Sequence, residues 1–184
     1  MLDLLRQAVT TLSSSSGTIQ GDMLYNGDLN QWIKFANSLR IRYLVRVSGK
    51  MDVSAELQEI VDGGNYFTSN ADNALVPYLV SAPNQWTIFT EREGRYVDGR
   101  MSKTAEEILT PLNDPRMAVY YKPTAASLEI FEPAYLGIPN GLNRESQLAY
   151  DLSNVSLFGS FLRDQPDGVN AILMTYSELQ FCLA

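Results

Sequence analysis

The sequence contains no histidine and a single cysteine, Cys182. Without histidine, the chain cannot form an imidazole base, a Ser-His-Asp or Cys-His catalytic set, or a metal site with a histidine ligand. Enzymes that use carboxylates alone remain possible. One cysteine cannot form an intramolecular disulfide, so cysteine usage does not indicate a redox compartment. Because Cys182 lies in an apolar run, we expect it to fill a core position.

Acidic residues outnumber basic ones, and the formal net charge is −7 at pH 7. This charge argues against binding a polyanion such as nucleic acid, but it does not exclude a neutral sugar. A chain of 184 residues buries about 70% of its unfolded surface, which is enough for a substantial core. With 45% hydrophobic residues, the composition indicates neither a disordered nor a membrane-spanning chain.

The two ends of the chain indicate a piece of a larger protein. The first 20 residues lack a basic segment followed by an apolar one, so no signal peptide is predicted, and no lipidation cysteine follows. Residues 1–12 read as the last turns of a helix, and the chain stops inside another helical pattern without a capping signal. We therefore expect residues 1–184 to be a single partial domain without an internal boundary.

The strongest helical pattern covers residues 27–48. Asp28, followed three residues later by Gln31, fits a capping box at the N-terminus. Apolar residues then recur at helical spacing and predict one buried stripe: Trp32, Phe35, Ala36, Leu39, Tyr43 and Val47. We expect Trp32 to be a core or helix-pairing residue.

The other face of this predicted helix is basic. It carries Lys34, Arg40, Arg42 and Arg46, and no acidic residue lies between Asp28 and Asp52. In an acidic protein this pattern favours pairing with acidic neighbours over a nucleic-acid surface.

Three further helices are predicted: residues 53–62, stopped by Gly63-Gly64, residues 102–112, and a helix from about Leu173 to the end. The long stretches 65–100 and 120–170 are rich in aromatic residues and proline, and long loops of this kind usually serve a function. A short strand could form near residues 74–80.

Four segments resemble, in the same order, segments of the SusD/RagB family of Bacteroidetes outer-membrane glycan-binding lipoproteins. They are GDLNQWIKFANSLRIRYLVRVS (27–48), SKTAEEILTPLNDPRMAVYYKP (102–123), YLGIPNG (135–141) and MTYSELQFCLA (174–184). The resemblance implies a mainly α fold, a SusD-type α-α superhelical scaffold of tetratricopeptide-like helix pairs with long irregular aromatic-rich loops and short strands. The helix of residues 174–184 would pack back on the helix of residues 27–48.

The resemblance also implies a function. The protein would bind an oligosaccharide or polysaccharide without catalysis at the outer face of the outer membrane, and deliver it to a SusC-like TonB-dependent transporter. It would use no cofactor and no metal. Membrane association would depend on a lipid anchor absent from this chain.

The segment around Trp86 is the best candidate for a sugar site. Aromatic faces contact the apolar face of a sugar ring, while amide and guanidinium groups bind its hydroxyls. The opposing interpretation is that a loop tryptophan simply fixes the loop to the core. The candidate ligand-binding residues are Trp86, Tyr78, Tyr96, Asn84, Gln85 and Arg95.

Two other functions stay open at the level of sequence. The first is a helical docking or structural subunit of the transporter complex with no sugar site in this chain. The second is a glycoside hydrolase that uses only carboxylates, with Glu91, Glu93 and Asp98 as the candidate cluster.

Two motifs of the resemblance are interpreted as structural. Residues 113–116, Asn-Asp-Pro-Arg, should stop a helix and let Arg116 pair locally. In residues 135–141 we expect a turn with glycine at positive φ, and not a phosphate loop, which would need a Lys-Ser/Thr pair.

Overall fold

A computed structural model of the chain describes residues 1–95 and 99–184. In these residues the chain is mainly helical, with one two-stranded sheet, which confirms the predicted fold class. Contacts divide the chain into two compact units: Met1–Pro77 with Ala171–Ala184, and Tyr78–Asn170. The expectation of a single domain without an internal boundary stays a prediction.

The first unit contains the longest helices. Its helices are α1 (Leu2–Ser14), α2 (Leu29–Val47), α3 (Ser54–Gly63) and α10 (Tyr176–Leu183), with a short 3-10 turn at Asn70–Asp72. Strand β1 (Ala74–Pro77) pairs with β2 (Asn170–Met174), so the short strand expected near residues 74–80 is confirmed.

The second unit contains short helices joined by irregular segments. These helices are α4 (Thr87–Thr90), α5 (Lys103–Leu109), α6 (Met117–Tyr120), α7 (Ala125–Glu129), α8 (Arg144–Leu148) and α9 (Ser160–Arg163), with a 3-10 turn at Leu152–Asn154.

Helix α2 begins where its sequence predicts. The Asp28 carboxylate accepts hydrogen bonds from the amides of Asn30 and Gln31, at 2.8 and 3.2 Å. The second half of the predicted capping box is wrong, because the Gln31 side chain hydrogen-bonds to Asp72 instead of reaching back to the cap. One carboxylate is therefore enough to start the helix.

The core of the first unit is built on α2. Phe35 stacks on Phe67 with the ring centroids 6.1 Å apart, and Ile41 and Leu44 are fully buried. Trp32 packs against this core as predicted, and its indole Nε1 donates to Asp22 at 2.8 Å. Helices α1 and α10 both pack on α2. The predicted packing of the last helix on the helix of residues 27–48 is therefore confirmed.

Three of the four basic residues of α2 meet acidic partners, as expected, whereas Arg46 is exposed and forms no ion pair in the described part of the chain. Lys34 pairs with Asp72 at 2.8 Å, Arg40 with Glu56 at 2.8 Å, and Arg42 with Glu178 at 2.5 Å.

Arg40 is nevertheless only 6% exposed, because α1 and α3 also lie against α2. The division of α2 into one apolar and one basic face is therefore too simple, and the helix is covered on most sides.

Two predicted helix boundaries are corrected. Leu173 belongs to strand β2, and the last helix starts at Tyr176 because the Thr175 hydroxyl accepts the amide of Glu178. Helix α5 ends at Leu109, three residues before the predicted end. Pro111 has no amide hydrogen to continue the helical hydrogen bonds, which accounts for the earlier end of the helix. The glycine stop of α3 is confirmed by Gly64, with φ at 66°.

Within the described residues, no helix is both long enough and apolar enough to cross a membrane.

Asp72 is a buried carboxylate, 2% exposed. It accepts hydrogen bonds from the Lys34 ammonium at 2.8 Å and from the amide of Thr68 at 2.7 Å. Burial raises the pKa of Asp72, but the bonds from Lys34 and Thr68 more than offset it and lower the pKa to about 2. Asp72 therefore stays ionised and closes the loop that leads into β1.

We expect Asp72 to make the stability of the protein depend on pH. Its folded-state pKa lies below the unfolded value near 4, so its contribution is present above about pH 4 and disappears as the pH falls through 2. In urea denaturation, the unfolding free energy of the wild type should fall by roughly 2 kcal/mol more than that of Asp72→Asn between pH 5 and pH 2. Parallel pH profiles for the two proteins would contradict this assignment.

Candidate functional site

The segment from Tyr78 to Trp86 forms a closed loop. The amide of Leu79 donates to the carbonyl of Asn84 at 2.7 Å, and the Gln85 side chain donates to the carbonyl of Val80 at 2.8 Å. The Ala82-Pro83 peptide bond at its tip is cis. The loop is therefore held by its own hydrogen bonds.

Trp86 is fixed at two points. Its amide donates to the carbonyl of Pro166 at 2.6 Å, and its indole Nε1 donates to the carbonyl of Leu162 at 2.8 Å. The loop tryptophan thus has the anchoring role that the opposing interpretation expected. It also sets the position of a half-buried ring that remains partly accessible.

Tyr78 lies beside this ring. The two ring centroids are 5.2 Å apart and the planes are inclined by 55°, a geometry in the favourable range for aromatic pairs. Both residues are half-buried. The structure therefore brings together two of the predicted aromatic residues in a fixed arrangement.

The predicted polar residues are distributed differently. Asn84 is exposed on the same loop, while the Gln85 amide is already used to close the loop. Arg95 is exposed and makes no hydrogen bond to the loop within residues 1–95 and 99–184. Tyr96 lies outside the described residues. Of the predicted site residues, the structure thus brings Tyr78, Trp86 and Asn84 onto one loop, which the Gln85 side chain helps to close.

One member of the predicted carboxylate cluster, Glu93, forms an ion pair. Glu93 pairs with Arg163 at 3.4 Å, and Arg163 also donates to the carbonyl of Arg92 at 2.9 Å. Arg163 is only 8% exposed. Glu91 is exposed, and Asp98 lies outside the described residues. Sequence reasoning missed Arg163, because it lies 70 residues from Glu93 and no local pattern marks it.

The Asn-Asp-Pro-Arg motif has the structural role that was predicted. Asp114 accepts the amide of Arg116 at 2.9 Å and also binds its guanidinium group. These bonds from Arg116 lower the pKa of Asp114 to about 2.

The glycines of residues 135–141 act for two different reasons. Gly141 has a positive φ of 76°, as expected. Gly137 does not, and the expectation of a positive φ is wrong for it. A Cβ on Gly137 would lie 2.3 Å from the carbonyl oxygen of Ser102, so the close approach of two backbones requires glycine there.

The sequence matches one protein-family model over its whole length. The SusD-like family described as "Starch-binding associating with outer membrane" matches residues 1–184. No functionally curated protein matches the sequence.

Solved structures agree with this match. Two SusD homologues of Bacteroides fragilis NCTC 9343 are each 25% identical, with TM-scores of 0.77 and 0.80, and 99% of this chain is covered. A chitin-binding protein is 22% identical, with a TM-score of 0.61 over 98% of this chain, and it supports the fold alone. The chain spans 42%, 40% and 42% of the lengths of these three proteins.

Gly168 lies close to the anchor of Trp86, two residues after Pro166. A Cβ at this position would lie 1.9 Å from the carbonyl oxygen of Phe161. We expect Gly168→Ala to displace this segment and to cost about 1–3 kcal/mol of unfolding free energy. Urea denaturation followed by tryptophan fluorescence would measure both the loss and the change around Trp86.

Gly49→Ala is the matched control, since a Cβ there meets nothing within 4 Å. It should change the unfolding free energy by less than about 0.5 kcal/mol. Equal effects of the two substitutions would show that the close packing at Gly168 is unimportant.

Proposed function

Because this chain belongs to the SusD-like family of starch-binding proteins associated with the outer membrane, we propose that it carries a glycan-binding surface centred on Trp86 and Tyr78. The protein would bind oligosaccharides without catalysis at the outer face of the membrane. It would pass them to a SusC-like TonB-dependent transporter.

The observation that carries this proposal is the fixed aromatic pair. Trp86 is fixed by the carbonyls of Leu162 and Pro166 before any ligand arrives. Binding then does not have to order the ring, which lowers the entropic cost of association. A pair of inclined rings offers apolar faces for the CH groups of a sugar.

Polar groups near the pair fit the hydroxyls of a neutral glycan. The exposed Asn84 side chain offers both a donor and an acceptor. Arg95 and Tyr96 stay candidate contacts. Because polar groups gain little net free energy when they leave water, we expect weak binding. The dissociation constant should be near 1 mM, which corresponds to a binding free energy of about −4 kcal/mol.

A non-catalytic role agrees with the carboxylates of this region. A glycoside hydrolase needs one carboxyl group that is free to donate a proton and a second that faces it across the bound sugar. Glu93 is instead turned toward Arg163. The ion pair of Glu93 therefore favours binding over hydrolysis at this carboxylate.

Replacement of Trp86 tests the proposal. In calorimetric titration with maltoheptaose and chitohexaose, we expect Trp86→Ala to weaken binding at least tenfold, because the platform is lost. Trp86→Phe, which keeps an aromatic face, should retain more of the affinity than Trp86→Ala.

Phe181→Ala provides the control, because Phe181 is an aromatic residue of the first unit and 86% exposed. Its affinity for the sugars should equal that of the wild type. If Trp86→Ala binds the sugars with the affinity of the wild type, Trp86 is not part of the site.

A second observation favours contact with a protein partner. At the end of α7, the apolar side chains of Leu128, Ile130 and Phe131 are 50%, 65% and 91% exposed. Phe131 has a positive φ of 58°, a conformation that is costly for a bulky residue and that clusters at functional sites.

Hydrogen bonds impose this conformation. The amide of Phe131 donates to the carbonyl of Leu128, and the amide of Glu132 to that of Ser127. The exposed residues Leu128, Ile130 and Phe131 are called the tip below, and Glu129 and Glu132 lie beside them in the sequence. These two carboxylates form no ion pair in the part of the chain that the structure describes. We propose that this tip enters an apolar pocket with a basic rim on the SusC-like transporter.

Substitution at the tip separates docking from sugar binding. We expect Phe131→Ser to reduce co-purification with the co-expressed transporter at least fivefold and to leave maltoheptaose affinity unchanged. Leu148→Ser is the control, since Leu148 is 77% exposed elsewhere in the same unit. Undiminished co-purification of Phe131→Ser would reject this surface.

A further inference from the structure

A second concave site lies in the second unit, between α5 and the segment that follows α8. Its volume is about 390 Å³, within the range of small-molecule sites in proteins. Its lining includes Lys103 and Glu106 of α5 together with Tyr150 and Asn154. Trp86 is not among its lining residues.

The walls of this cavity are fixed by the backbone. Gly137 passes so close to Ser102 that a side chain would not fit, and its amide donates to Glu106 Oε2 at 2.6 Å. The amide of Ser156 donates to the carbonyl of Leu136 at 2.9 Å. Val155, which is 5% exposed, also lines the cavity. The cavity is therefore formed before any ligand binds.

The charged groups of the cavity compensate one another. Burial raises the pKa of Glu106, but bonds from Lys103 and the Gly137 amide lower it below its usual range. Both carboxylate oxygens of Asp151 accept bonds from its neighbours, Ser153 and Asn154. The lining thus contains one ammonium group and two carboxylates, and this excess of negative charge disfavours an anionic ligand.

Groups remain that could bind a polar, neutral ligand. Tyr150 is 39% exposed, and its hydroxyl makes no hydrogen bond within the described residues. The Asn154 side chain uses its amino group on Asp151, which leaves its oxygen as an acceptor. Leu136 and Val155 supply apolar surface beside these groups. An aromatic face, apolar walls and separate donors and acceptors match the alternating surface of a pyranose ring.

We infer that this cavity is a second saccharide subsite, which takes one neutral sugar unit against the ring of Tyr150. The inference rests on the proposed glycan-binding function, but it uses different residues. Two weak subsites on one unit would favour long glycans over short ones, because the second contact becomes intramolecular. The spacing between the subsites would then select chain length.

Amide NMR spectra of the ¹⁵N-labelled protein, titrated with maltoheptaose and chitohexaose, test the inference. We expect saturable shifts at the amides of Gly137 and Asn154. Tyr150→Ala should abolish these shifts and weaken heptasaccharide binding at least threefold. Tyr150→Phe should keep the shifts, since the ring is retained, and Tyr120→Ala is the control for an exposed tyrosine elsewhere in this unit.

The outcomes separate the two proposals. Binding that depends on Trp86, without shifts at Gly137 and Asn154 and without an effect of Tyr150→Ala, would overturn the second subsite and leave the first. Shifts at Gly137 and Asn154 that persist in Trp86→Ala would support the second subsite alone. Absence of binding by either oligosaccharide would overturn both.

Discussion

The burial of α2 is the constraint on which the first unit depends. This helix places Phe35 on Phe67 and fully buries Ile41 and Leu44, while α1 and α10 cover its remaining apolar surface. Covering a helix that also carries basic residues requires partners for each buried charge. Glu56 meets this requirement by binding both Arg40 and Arg6. These bonds lower the pKa of Glu56 to about 2, and the hydrogen bond from Arg6 contributes most. The unit is held by satisfied polar groups as well as by apolar contact.

Features that depend on local spacing could be predicted from the sequence. The Asp28 cap, the packing of Trp32 against the core and the glycine stop after α3 all follow from short-range patterns. Features that depend on distant partners could not. Leu173 lies in β2 and not in the last helix, because β2 pairs with the distant β1, and the burial of Arg40 depends on α1 and α3. Gly137 was identified as a turn residue, but its true constraint is the backbone of Ser102.

The same division applies to the candidate site. Tyr78, Asn84 and Trp86 could be selected because they lie close in sequence and have suitable chemistry. The carbonyl of Leu162, which holds the indole, lies 76 residues away, and no sequence pattern points to it. Irregular segments anchored in this way give rigid positions to side chains without long helices. Such anchoring is consistent with the proposed glycan-binding surface.

The most direct test of the central claim is ¹⁹F NMR of protein labelled with 5-fluorotryptophan. The chain has two tryptophans, Trp32 and Trp86, so each spectrum contains its own internal control. During titration with maltoheptaose, the Trp86 resonance, assigned with Trp86→Phe, should shift until saturation while the Trp32 resonance stays in place. A Trp86 resonance that does not move while calorimetry shows the sugar binding would contradict the account.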